Sequence, residues 1–155
     1  MKTLTHLFAV LFSMALIGSS AAQAAPTATV TVKNLSTGTV YNTVQSLEEI
    51  DTYAAANPKP ATSISSSGVN SFQVSPTPAG YFSLLVLKYQ AATPPATGGK
   101  ECFFTSGYIS EPIFEGMTGP EWGKEAEGSG GAICTATITS TDPITGNWSV
   151  EFTMQ

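Results

Sequence analysis

The sequence contains no arginine, and its single histidine, His6, lies close to the amino terminus, so residues 25–155 have none. Without histidine, Ser-His-Asp and Cys-His nucleophiles, imidazole acid–base catalysis and nearly all zinc and copper sites are excluded. Without arginine, and with a net charge of −5, the chain lacks the forked cations and positive field that a phosphate backbone demands. Nucleic acid is therefore set aside as a partner, as is adhesion to an anionic membrane by charge alone. Cysteine is scarce as well: Cys102 and Cys134 are the only two. They form no C-x-x-C redox motif and are too few for a metal centre, so neither a metal nor a cofactor is expected. In an exported protein an even pair reads as a disulfide, and closing a loop of this span stabilises a fold by roughly 3–4 kcal/mol.

Export is what the first residues indicate. Lys2 precedes the apolar run Leu7–Ile17, Gly18-Ser19-Ser20 breaks it, and Ala22-Gln23-Ala24 supplies the small-x-small end that signal peptidase accepts. The run is too short to cross about 30 Å of hydrocarbon at 1.5 Å per residue, and no basic stop-transfer cluster follows it. The expected arrangement is a signal peptide over residues 1–24, cleaved after Ala24, and a single β-sandwich domain over 25–155, in a secreted or periplasmic protein.

Period-two alternation dominates that domain. Thr29–Lys33 alternates polar and apolar, and Thr39–Val44 resumes β propensity after turn residues. Val69–Val74 is bounded by Gly68 and a Pro-rich turn. Tyr81–Tyr89 is apolar on both faces, as a central strand covered on both sides would be, and Cys102–Ile109 follows a Pro/Gly/Thr loop. At the carboxyl end, Ala132–Thr139 and Trp148–Met154 flank Asp142–Asn147 as a β-hairpin, with Cys134 on the apolar face. Ser46-Leu47-Glu48-Glu49 is a capping box. It opens one short helix, with Leu47, Ile50, Tyr53 and Ala54 on one side, which stops before Asn57-Pro58. About seven strands, one short helix and one disulfide predict a mainly β fold, an antiparallel β-sandwich or flattened barrel.

Most motif matches fail on their own residues. Pro94 and Glu101 break the phosphate-loop pattern around Gly99-Lys100, and Glu127 stands where a nucleophile elbow before Gly128 needs glycine. Asn34-Leu35-Ser36 and Asn147-Trp148-Ser149 have the form of glycosylation sequons. The segment 110–131 differs in kind. Glu111, Glu115, Glu121, Glu125 and Glu127 are interleaved there with Phe114, Met117, Trp122 and glycines. Read as a long loop, it is either a solvated surface loop whose aromatics tuck back onto the sheet or a candidate recognition element, with Phe114, Met117 and Trp122 as apolar contacts and Glu111, Glu115 and Glu121 around them. Paired carboxylates could also serve histidine-free glycoside hydrolysis, but no calcium-loop pattern and no sugar cleft accompanies them.

An Ile-x-x-x-Gly stretch, a Gly-aromatic strand and a late tryptophan resemble the layout of aegerolysin-type β-sandwiches, and that resemblance implies lipid binding or membrane activity. Gly146–Phe152 is similar to the closing strand of fimbrial subunits, whose disulfide lies early in the domain where this one lies late. The leading expectation is a non-enzymatic, exported β-domain that binds a protein, glycan or other cell-surface ligand. A lipid-binding sandwich stands second and a carboxylate-dependent glycoside hydrolase third.

Overall fold

The computed structural model describes residues 25–76, 82–91, 99–110 and 120–155. Alternating sequences place one apolar face on each strand, and two five-stranded sheets bury those faces against each other. The first sheet has the order β3-β5-β1-β10-β9, formed by β1 (Ala28–Asn34), β3 (Ala56–Asn57), β5 (Val69–Val74), β9 (Cys134–Thr141) and β10 (Trp148–Met154). The second has the order β4-β2-β6-β7-β8, formed by β2 (Val40–Thr43), β4 (Ser63–Ile64), β6 (Phe82–Gln90), β7 (Glu101–Ile109) and β8 (Glu121–Ser129). β1 and β10 pair in parallel, Val30 beside Val150, while the other ladders are antiparallel.

The mainly β sandwich expected from periodicity is present, with one helix and the Cys102–Cys134 disulfide. Among the described residues ten strands replace the expected seven or so; β3 and β4 are two-residue edges too short to leave a period, and β8 has the composition of a loop. Val30, Val32, Phe72, Val150 and Phe152 of the first sheet meet Leu85, Leu87, Tyr89 and Phe104 of the second in one core. Phe104 and Phe152 stack across the interface with centroids 4.7 Å apart. The disulfide ties β7 to the start of β9, its Cα atoms 5.7 Å apart, with Cys102 fully buried and Cys134 partly so.

Helix α1 (Leu47–Ala55) starts at the expected capping box: Ser46 Oγ accepts from Glu49 N at 3.1 Å, and Glu49 Oε2 accepts from Ser46 N and Gln45 N. Its sidedness is the reverse of the expectation. Glu49 and Thr52 are buried, whereas Leu47 is 75% and Ile50 45% exposed. The cause is the strand beside it. β2 pairs with only the Lys88–Gln90 end of β6, so the Val86 N–H needs a partner elsewhere, and Thr52 Oγ1 accepts from it at 2.9 Å. A buried backbone donor left unmade costs more than a hydrophobic side chain gains by half-burial. The helix therefore turns a hydroxyl inward.

Asn34, the first of the two sequons, is fully buried at the end of β1. Its Nδ2 donates to the carbonyls of Gly38, Ile64 and Ser65 at 2.7–3.0 Å, and its Oδ1 accepts from the backbone and hydroxyl of Ser36. That amide ties the turn after β1 to the end of β4 and is inaccessible to a glycan. Asn147, in the second sequon, is exposed.

Candidate ligand-binding face

Residues 121–129 are not loop. They form β8, paired with β7 in the register Tyr108↔Trp122, Phe104↔Ala126 and Ile109↔Glu121. Alternation sends Trp122 and Ala126 toward the core and leaves Glu121, Gly123, Glu125 and Glu127 on the outer face. Glutamate, glycine and lysine are poor strand formers, so this strand is held by its pairing and by two inward side chains rather than by its own propensity.

Trp122 accordingly has a structural setting. It is half-buried, its Nε1 donates to the Gly146 carbonyl at 3.2 Å, and its ring lies 5.4 Å from that of Tyr108. Tyr108 in turn lies 6.5 Å from Trp148, whose Nε1 donates to Ser106 Oγ at 2.9 Å. Ser106 passes the chain on to the Gly123 carbonyl at 3.0 Å. Three aromatic rings thus close this end of the sandwich. Gly146 permits it: its φ is +75°, and a Cβ there would stand 2.7 Å from the Tyr108 ring. Of the other candidates, Glu121 is exposed on the outer face of β8, and Glu111, Phe114, Glu115 and Met117 lie outside the described residues.

The outer face of the second sheet holds what the sequence reading missed. Pairing across β6, β7 and β8 aligns Phe82 with Ile109 and Glu121, then Leu84 with Gly107 and Gly123, then Val86 with Thr105 and Glu125. Two glycines side by side remove the side chains from the middle row and leave a trough of about 460 Å³, within the span of ligand pockets. Phe82 and Leu84 stand along it, 43% and 44% exposed. Gly107 is required by close strand approach, since a Cβ would sit 2.7 Å from the Ser83 carbonyl oxygen; at Gly123 nothing stands within 4 Å of such an atom. β6 was expected to be covered on both faces. Its Val86 end is covered by α1, and its Phe82 end is open.

Charge on this face is one-sided. Glu121, Glu125 and Glu127 form no ion pair among the described residues. Lys88 is held by Glu101 at 3.1 Å, and Lys124 donates to the Ala136 carbonyl in the other sheet at 2.7 Å. No cluster of three or more His, Cys, Asp or Glu side chains able to hold a metal occurs among the described residues. None of their helices is long and apolar enough to cross a membrane. No known protein family and no curated protein matches the chain.

Proposed function

We propose that the chain is an exported, non-enzymatic binding domain whose outer β6–β7–β8 face takes a partner segment combining apolar side chains with positive charge. The observation that carries this reading is the coincidence, on one face, of an open apolar trough and glutamates that form no ion pair among the described residues. Apolar burial in the trough would supply affinity, and the glutamates would favour cationic partners and speed encounter. Export rests on the signal-peptide pattern of residues 1–24, and the disulfide suits an oxidising compartment. In this reading Glu121 stands at the rim, while Trp122 supports the strand from behind.

Two synthetic peptides test the proposal by fluorescence anisotropy, one alternating lysine with leucine, the other glutamate with leucine. The lysine peptide should bind, more weakly as salt rises, and the glutamate peptide should not. Gly123→Val fills the trough where there is room for it, and should abolish binding at unchanged melting temperature. Equal binding of both peptides, or full binding by Gly123→Val, would refute the reading. Pelleting with zwitterionic vesicles, dependent on Phe82 and Leu84, would instead favour lipid as the ligand.

A further inference from the structure

The opposite side of the molecule differs in chemistry. On the outer face of the first sheet, pairing of β5, β1, β10 and β9 lines up three rows of side chains. The first row runs Val69–Lys33–Thr153–Thr135, and the second Ser71–Thr31–Glu151–Thr137. In these two rows most polar groups are engaged with one another. Lys33 pairs with Glu151 at 2.7 Å, Thr31 bonds Ser71 at 3.1 Å, and Thr135 bonds Thr153 at 2.6 Å. The third row, Gln73–Thr29–Ser149–Ser140, makes no side-chain hydrogen bond among the described residues, although its members are direct cross-strand neighbours. That row forms part of the wall of a hollow of about 380 Å³ at the end of the sheet, which Asp142 and Asn147 of the β9–β10 turn also line.

The lining discriminates among ligands. Among the described residues no lysine borders the hollow, so phosphate or carboxylate would meet no countercharge from them. Asp142 is its one carboxylate among the described residues, and it is already engaged: it accepts from Thr145 Oγ1 at 2.7 Å and Ile144 N at 2.9 Å, bonds that hold its carboxyl below the usual range. A hard cation wants several oxygen ligands, carboxylates among them. Asn147 Oδ1 is likewise taken, accepting from Thr27 N at 2.7 Å, and what is left is a set of hydroxyls with the Gln73 amide, groups that both donate and accept. Their complement is a ligand whose own groups do the same, closely spaced on a rigid ring. We propose that this hollow is a binding site for a neutral pyranose unit of a glycan, held by Gln73, Thr29, Ser149 and Ser140. The Trp148 ring is buried toward the core, so it offers no stacking platform and affinity rests on hydrogen bonds alone. A Kd on the order of 1 mM for a single sugar follows, deepening if adjoining units of a chain also make contact. The inference is independent of the trough on the other sheet, with which it shares no residue.

Titration of the ¹⁵N-labelled protein with the methyl glycosides of glucose, galactose, mannose and N-acetylglucosamine, to about 50 mM to exceed the expected Kd, tests it. At least one glycoside should give saturable amide shifts confined to Thr29, Gln73, Ser140, Ser149 and the turn at Asp142–Asn147. Gln73→Ala and Ser149→Ala should each weaken binding about 5-fold, the value of one hydrogen bond, without lowering the melting temperature. Phe82→Ala, in the trough, should leave it unchanged. Absence of saturable shifts with all four glycosides, shifts mapping to another face, or unaltered binding by both variants would each overturn the proposal.

Discussion

Replacing the two tryptophans separately by alanine tests the closed end of the sandwich. In Trp122→Ala, three contributions disappear. The Nε1 bond to the Gly146 carbonyl is worth about 1 kcal/mol, the ring contact with Tyr108 about 1 kcal/mol, and the partial burial of the indole roughly 1–2 kcal/mol. The expected loss is about 3 kcal/mol. Trp148 is 2% exposed, and its removal leaves a core cavity and strips Ser106 Oγ of its donor, so the full cost of a buried aromatic applies, about 4–5 kcal/mol. Trp122→Phe keeps the ring and should lose only the hydrogen-bond share, about 1 kcal/mol. Urea unfolding followed by far-ultraviolet circular dichroism reads all three, with unchanged m-values showing that the comparison is of like states. A loss below about 0.5 kcal/mol for Trp122→Ala, within the range of ordinary surface substitutions, would mean that Trp122 does not hold β8 to the core, and the assignment of 121–129 as an anchored strand would fail with it.

Two further outcomes follow from groups in the interior. Cys102→Ser opens a loop spanning 32 residues and should cost about 3–4 kcal/mol by loop-closure entropy; free thiols titrated in the native, unreduced protein would contradict the bridge. Tyr89 is fully buried with no hydrogen-bond partner for its hydroxyl among the described residues, and burial pushes its phenol far above the usual value. The unfolded chain ionises near pH 10 while the folded one resists, so this group's contribution is intact below about pH 10 and is lost as pH rises beyond it. Tyr89→Phe should hold neutral-pH stability and flatten the alkaline decline in urea midpoints, and an equally steep decline in the variant would remove Tyr89 as its source.

Where strands announce themselves with valine, phenylalanine and other apolar residues at every second position, as β1, β5 and β10 do, sequence and structure agree to within a residue or two. The failures have physical causes. β8 carries its signal in Trp122 and Ala126 alone, diluted by glutamates and glycines whose intrinsic preference is for loops, and its place was decided by β7. Helix α1 has a plain capping box and a plain apolar side, so its existence and limits were legible. Its rotation was not, because the need for a hydroxyl at Val86 arises from β2 stopping short along β6. No local window contains that information.

The trough escaped the sequence for a related reason. Gly107 and Gly123 belong to different strands, and each alone reads as a weak point in its own strand. Only the register of β7 against β8 sets them side by side and turns two missing side chains into one open row. The apolar run of β6 was legible, but the expectation of cover on both faces holds at Val86 and not at Phe82 and Leu84. What the run could not say is who supplies the cover. At Val86 the chain's own helix does so; at Phe82 and Leu84, four-tenths exposed beside an empty row, the described chain does not. Two large apolar side chains standing singly would call for no explanation. Aligned along a trough, beside glutamates that form no ion pair among the described residues, they make up the surface on which the proposed binding rests.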